Sequence, residues 1–304
     1  MGSASSSSAR LLASAAFSGE LMDCCTEQSK SHGEPVEGSA VVDTPRWLMI
    51  QVQSAWAVKT ADTACLQGEV GDHIAQELAR VGGARLQLIR RPQASTGVTL
   101  IAATADGKRP RAYRVVLETF ADIVNVDIAA LFEGGAGAEV MDESLVLVCT
   151  HGLRDRCCAV EGVPVYNALA DHADGDVWQT THLGGHRFAA TLVVLPEGLQ
   201  FGRVLPHEVG GLMDGLSRGK IYRLDRFRGR VSASRIAQVA EARVRAKKEL
   251  LALDEVTPAG DDLMVEGRLL RVQVSSTPHP TPRAYSCGDT KLRTPMEYSV
   301  SLTD

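Results

Sequence analysis

Four of the eight histidines and three of the seven cysteines fall between Cys149 and His186, a dense packing of soft and borderline donors for a chain of 304 residues. Cys149 closes the short apolar run Leu145 to Val148, and Cys158 follows across a polar loop that begins at Thr150. A strand end and the far side of its loop can face one site. His182 and His186 are four apart, which on a helix would put both rings on one face. Leu183, Gly184 and Gly185 stand between them. Two consecutive glycines cost a helix about 2 kcal/mol relative to alanine, so the spacing predicts a tight loop with bare N–H groups open to a ligand.

Two thiolates and two imidazoles can bind zinc tetrahedrally, or hold a 2Fe-2S cluster with sulfur on one iron and nitrogen on the other. Zinc knuckles usually separate their first two cysteines by about two to four residues, whereas eight lie between Cys149 and Cys158. A wider loop suits the larger group. Spacing alone leaves cluster and zinc both open.

The residues carry a resemblance that tips the balance. Cys149-Thr-His-Gly-Leu-Arg-Asp-Arg-Cys-Cys158 followed by His182-Leu-Gly-Gly-His186-Arg-Phe-Ala-Ala190 resembles the signature of the sucrase/ferredoxin-like family. The likeness continues through Val194-Leu-Pro-Glu-Gly198, Phe201-Gly-Arg-Val204 and Phe227-Arg-Gly-Arg230, and touches Cys25 to Glu34 and Ser286-Cys-Gly288. That family is related to thioredoxin-like 2Fe-2S ferredoxins. The resemblance implies a 2Fe-2S cluster held by Cys149, Cys158, His182 and His186, and an electron carrier rather than a catalyst. One departure is Ser54-Ala-Trp-Ala57, where many relatives have a Pro-Trp-Gly turn. The name's first half finds no chemistry here, because no carboxylate pair stands in a setting that argues for glycoside hydrolysis.

Ligation by two imidazoles changes the charge of such a cluster. Two ferric ions, two sulfides and two thiolates sum to zero, against a charge of about −2 with four thiolates, so an electron enters more easily. Rieske centres, at about −150 to +300 mV against about −400 mV for plant-type ferredoxins, show the direction. A relatively high potential is expected, with pH dependence if the free ring nitrogens ionise.

Around this set, His151, Arg154, Cys157, Gly184, Gly185 and Arg187 are candidates for supporting roles. Cys157 and Cys158 are neighbours and should point apart, so Cys157 is expected to be a buried small hydrophobe or a substitute ligand. Arg154 and Asp155 are expected to pair and shape the loop; Arg154 or Arg187 could donate to cluster sulfides. Cys25 and Cys287 are candidate thiols for contact with a redox partner. His172, His207 and His279 carry no ligand spacing.

The rest of the chain must position these groups. From Arg46 onward strands and helices alternate: strands over 47–53, 85–91, 98–104 and 111–119, with a helix over 72–81. The glycine-rich stretch from Glu133 to Gly137 is the expected seam. A second half follows, with a strand to Cys149, a helix over 163–171 with Pro164 in its first turn, a strand over 187–195 paired with 200–205, and helices over 208–216 and 235–251. The second helix is long and charged, so one face is expected to meet solvent. Strands over 263–275 and 297–302 close the chain. The fold class is α/β, two thioredoxin-like sandwich halves with the second carrying the cluster. The boundaries are a flexible tail at 1–40, a domain without ligands at 41–138, the ferredoxin-like domain at 139–253 and a C-terminal β extension at 254–304.

Composition agrees with a soluble electron carrier. The net charge is −5 and 44% of residues are hydrophobic, which gives no electrostatic footprint for nucleic acid, and no apolar run reaches the roughly 18 residues that span a bilayer. Seven cysteines, an odd number with no clear secretory signal, argue for a reducing compartment. The expected location is cytoplasmic, with organellar targeting by the Ser- and Ala-rich opening left open. Met1 to Phe17 otherwise reads as a floppy tail, and Gly2 with Ser6 matches the short myristoylation pattern. The expected partner is a reductase or electron acceptor. A zinc-stabilised thiol protein, working through Cys25, Cys157 or Cys287, is the alternative.

Overall fold

The computed structural model describes residues 24–92, 96–106, 109–135, 137–172 and 176–303. The segment Met1 to Phe17 lies outside them, as do Gly107 and Ala136. Strand β1 (Arg46–Gln51) runs parallel to β2 (Arg85–Arg90), joined by helix α2 (Glu69–Arg80), and antiparallel to β3 (Val98–Thr104). Next come β4 (Arg111–Leu117) and the edge strand β5 (Glu139–Val140), with the short helix α3 (Ile128–Leu131) between them.

The second half repeats this order. Strand β6 (Leu145–Cys149) runs parallel to β7 (Asp176–Thr180) and antiparallel to β8 (Leu192–Leu195), then β9 (Leu199–Phe201) and β10 (Phe227–Arg230) follow. Its crossover helix is α4 (Arg156–His172), and α5 (Val209–Ser217) sits where α3 sits in the first half. The two halves meet through β2 and β7, which pair antiparallel at Ile89 with Thr180 and Arg90 with Gln179. The result is one ten-stranded mixed sheet, β10-β9-β8-β6-β7-β2-β1-β3-β4-β5. The sequence seam at 138 shifts accordingly, because β5 completes the first half's sheet.

The apolar runs of β1 and β6 are buried on both faces. Leu48 and Ile50 pack under α2, and Val146 and Val148 pack under α4. Trp47, Met49, Leu145, Leu147 and Cys149 point to the opposite face and share one core that spans both halves. Alternation along each strand thus splits one apolar run between two layers. The halves are therefore fused by a common core.

Several elements differ from the sequence expectation. Helix α4 begins at Arg156, so Pro164 lies in its interior. Proline costs the bond to the carbonyl of Val160, but Val160 is on the exposed side, while Val165, Tyr166 and Leu169 are fully packed. Burial outweighs the local penalty. Strands β7 and β10 were not foreseen, and the expected strand from Arg187 is a 3₁₀ turn (His186–Phe188) before β8 begins. The final apolar stretch is a hairpin, β12 (Asp262–Val265) with β13 (Arg268–Pro278), flanked by β11 (Val256–Ala259) and β16 (Met296–Thr303); β14 (Arg283–Ala284) and β15 (Leu292–Arg293) form a separate ribbon.

Residues 24–40 are not a flexible tail. Helix α1 (Cys25–Ser31) lies against the turn at His186 and against β14. Buried Glu34 accepts from Arg187 (2.9 Å) and Arg283 (3.2 Å), and Ser29 accepts from Arg203 (2.8 Å). The segment's polar character is spent on these buried partners instead of on water.

Helix α6 (Arg235–Lys248) exposes one face, with Arg243, Lys247 and Lys248 open to solvent, but its charge is not confined to that face. Its charged residues Glu241 and Arg245 are fully buried. Glu241 accepts from Arg230 and Arg245, each at 3.0 Å, and Arg245 also donates to the carbonyls of Ala252 and Val256. Three charges satisfied in this way can be enclosed where an unpaired one could not.

Close packing of α4 on β6 depends on Gly162. A Cβ there would stand 2.1 Å from the carbonyl oxygen of Cys149. Gly162→Ala should therefore push helix and strand apart, costing about 1–3 kcal/mol. A lowered thermal midpoint is the expected result.

Candidate metal centre

The register of β6 on β7 places Cys149 beside Thr180, so the loop that leaves β7 emerges next to the Cys149 thiol. Cys158 comes from the first turn of α4. There Asp155 accepts from the N–H of Cys157 (2.9 Å), a side-chain cap that starts the helix. His182 lies between the two cysteines, its Nδ1 3.5 Å from Cys158 Sγ and 3.9 Å from Cys149 Sγ. These three residues place their donor atoms within 4.8 Å of one another. His186 stands one ring further out, its Nδ1 3.4 Å from Nε2 of His182. The structure thus brings three of the four expected donors together, and His186 joins them only through its contact with His182.

Gly184 and Gly185 make the intervening turn. Both have positive φ, +92° and +69°, and a Cβ on Gly185 would lie 2.3 Å from Arg228. Arg228 is fully enclosed and donates to the Gly184 carbonyl (3.0 Å) and to Ser39 Oγ (2.9 Å). Arg85, on β2 of the other half, donates to the His182 carbonyl (2.9 Å). Two guanidiniums, Arg228 from the Phe227-Arg-Gly-Arg230 stretch and Arg85 from the other half, therefore hold the histidine loop from behind. Burial and the neighbouring arginines push Arg228 down to about 9.

The sulfur pair is poised for ligation. A hydrogen bond from Cys158 holds Cys149 well below an ordinary thiol; His182 acts in the same direction, against the opposing effect of burial. Cys158, retaining the proton beside that thiolate, is raised. One proton is shared between two sulfurs, and a thiolate is the form that binds metal.

His151 is buried. Its Nδ1 accepts from the backbone N–H of His182 (3.3 Å), its ring meets the edge of Trp56 at 5.7 Å, and burial lowers its pKa. It supports the loop as a neutral ring. Arg90 lies over Trp56, 4.1 Å from the ring centroid, so the Ser54-Ala-Trp-Ala57 departure still supplies a packed wall.

The expected Arg154 to Asp155 pair does not form. Asp155 is enclosed and turns inward, accepting from Ser286 Oγ (2.8 Å) and the N–H of Cys287 (3.0 Å), with His186 Nε2 3.5 Å away. Burial opposes its ionisation, yet His186 and these donors together hold its pKa below the usual carboxylate range. Enclosure rewards the partners that come with it, whereas Arg154 is free to reach water. Arg187 pairs with Glu34 and stacks on Tyr285, 4.0 Å from the ring centroid. Cys157 points away from Cys158, toward Cys24, Cys25 and Cys287.

A sequence profile described as sucrase/ferredoxin-like matches residues 37–229, more than half of the chain. The chain belongs to the sucrase/ferredoxin-like family. Curated relatives include "Altered inheritance of mitochondria protein 32" of Meyerozyma guilliermondii, 33% identical over 108 residues that cover 32% of this chain and 37% of that protein. The protein of the same name from Eremothecium gossypii is 30% identical over 117 residues, covering 34% and 36%. This sucrase/ferredoxin-like chain therefore matches little more than a third of the length of these relatives. Among solved structures, a thioredoxin-like [2Fe-2S] ferredoxin from Aquifex aeolicus is 19% identical, with a TM-score of 0.24 over 26% of this chain and 84% of that one. A cysteine-to-serine variant of that ferredoxin gives 0.25 over 28% and 97%. Among the described residues no helix is long and apolar enough to cross a membrane.

Proposed function

We propose that the protein holds one 2Fe-2S cluster through Cys149, Cys158, His182 and His186 and carries single electrons. The supporting observation is that two buried thiols and the half-buried His182 ring, drawn from a strand end, a helix start and a glycine turn, come together, with the His186 ring against His182. Soft sulfur paired with borderline nitrogen suits a mixed-ligand iron site. When bound, such a group supplies reversible one-electron chemistry.

The chain's own residues then do the rest. Arg85 and Arg228 fix the histidine loop and place positive charge behind the thiolates, which favours the reduced form. Asp155, facing His186 Nε2, accepts from that ring when it carries a proton. Trp56 and His151 close one side against water. On the other side a cavity of about 540 Å³ opens beside His186, lined by Arg154, Arg187, Tyr285, Cys287 and Arg293. With Arg187 paired to Glu34, Arg154 and Arg293 outweigh the single Asp289 of this lining, and the net positive edge fits a redox partner with carboxylates around its own centre.

The test is metal analysis with electron paramagnetic resonance on anaerobically purified protein. Two irons per chain, a reduced-state signal and a potential above that of four-cysteine ferredoxins are expected. The potential should fall as pH rises through the imidazole range, because protonation of a ring favours the added electron. Colourless protein without iron overturns the proposal.

A further inference from the structure

A second group of thiols lies next to this pocket and is separate from it. Cys157 Sγ is 3.2 Å from Cys24 Sγ, 3.6 Å from Cys25 Sγ and 3.1 Å from Cys287 Sγ, and Cys287 Sγ is 3.7 Å from Cys25 Sγ. Cys25 and Cys157 are buried, while Cys24 and Cys287 are half-buried. The four sulfurs come from three distant stretches: the start of α1, the first turn of α4 and the loop after β14. None of them is joined in a disulfide.

Bare thiols gain little from such crowding, because S–H is a weak donor and S a weak acceptor. Metal ligands require it. Zinc–sulfur bonds of about 2.3 Å in a tetrahedron put neighbouring sulfurs about 3.8 Å apart; the separations of Cys25 from its two neighbours, 3.6 and 3.7 Å, are close to this, and those of Cys157 from Cys24 and Cys287, 3.2 and 3.1 Å, would open by about half an ångström on ligation. The surroundings are arranged for this geometry. Asp155 accepts from the N–H groups of both Cys157 and Cys287 and from Ser286, fixing two of the sulfur-bearing residues from behind. Adjacent positions on a helix point about 100° apart, so Cys158 serves the first pocket while Cys157 serves this one.

We propose that Cys25, Cys157 and Cys287, whose sulfurs lie within 4.8 Å of one another and of an Asp155 oxygen, form a second metal site that binds one Zn²⁺, with Cys24, in contact with Cys157 alone, turning in as the fourth sulfur of a thiolate tetrahedron. Zinc is the ion to which an all-sulfur tetrahedral set is best suited when no redox change is needed. Each thiol that ligates gives up its proton to solvent, and no electron moves. The ion would tie the N-terminal helix and the C-terminal loop to the start of α4, more than a hundred residues away from either in sequence. It would also shield the edge of the first pocket, since Asp155 touches both sites. The proposal does not rest on what the first pocket binds.

The experiment uses the full chain purified anaerobically, with zinc and iron counted separately and Co²⁺ added as a spectroscopic substitute. One zinc per chain is expected, together with the visible bands of tetrahedral thiolate-bound Co²⁺. Cys287→Ser, at a half-buried position, should weaken zinc at least about 100-fold, the upper end of what losing a mere supporting contact costs. Cys25→Ser, at a position that does not line the cavity beside His186, should weaken zinc alike and leave the iron content and paramagnetic signal of the first pocket unchanged, and its circular dichroism reports whether it folds. A wild-type chain that takes up neither zinc nor cobalt, zinc retained in Cys287→Ser, or zinc lost from Cys149→Ser in its place would each overturn the assignment.

Discussion

His182→Ala should yield protein with less than a tenth of the wild-type iron and no reduced-state paramagnetic signal. His182 is the residue against which both sulfurs and the second imidazole rest, with Nδ1 toward Cys158 and Cys149 and Nε2 toward His186. Removing it opens the centre of the donor set, and its backbone, pinned by Arg85 and His151, cannot bring another side chain in. His186→Ala should be milder. That ring stands further from the sulfurs, so iron is expected to bind and then be lost faster on dilution. His172→Ala, at the far end of α4, should match wild type. Iron per chain and the reduced spectrum, measured on the three variants side by side, check the order. Equal behaviour of all three would show that the donor set is elsewhere.

The largest stability effect is expected at Glu241. Replacement by alanine leaves Arg230 and Arg245 enclosed without their shared anion, and breaking a buried ion group by removing one partner typically costs about 3–5 kcal/mol. Arg245 is the more exposed to this loss in energetic terms, since burial already lowers its pKa. For a chain of this size the thermal midpoint should fall by about 10 °C. The change sits on α6, away from the histidine loop, so iron content at low temperature should be retained. A melt of Glu241→Ala within 2 °C of wild type, an order-of-magnitude bound on one exposed contact, would show that the carbonyls around Arg245 suffice without the carboxylate.

The site was legible because its chemistry is local in sequence. Cys149 and Cys158 flank a single loop, His182 and His186 a single turn, and the glycine pair between them disfavours a helix through backbone entropy. The same locality misled at α4. Pro164 read as a first-turn residue because its penalty is visible in sequence, while the packing of Val165, Tyr166 and Leu169 that outweighs it is not. Arg228 was marked only as part of a likeness, without a role, and Arg85 carried no signal, since an arginine in a strand looks like any surface cation until the rest of the sheet covers it. The tail boundary at 40 failed for a related reason. Glu34 and Ser29 look solvated until Arg187, Arg203 and Arg283 arrive from up to 249 positions away.

By itself the sequence determined the α/β class, the alternation that splits β1 and β6 between two layers, and a candidate set of sulfur and nitrogen donors, because each follows from side-chain type at short spacing. Only the tertiary structure decided that the two halves fuse into one ten-stranded sheet, and that Cys24, Cys25 and Cys287 gather on Cys157. Those contacts close loops of more than a hundred residues, and what closes such a loop is the burial of a shared face, which no local pattern encodes.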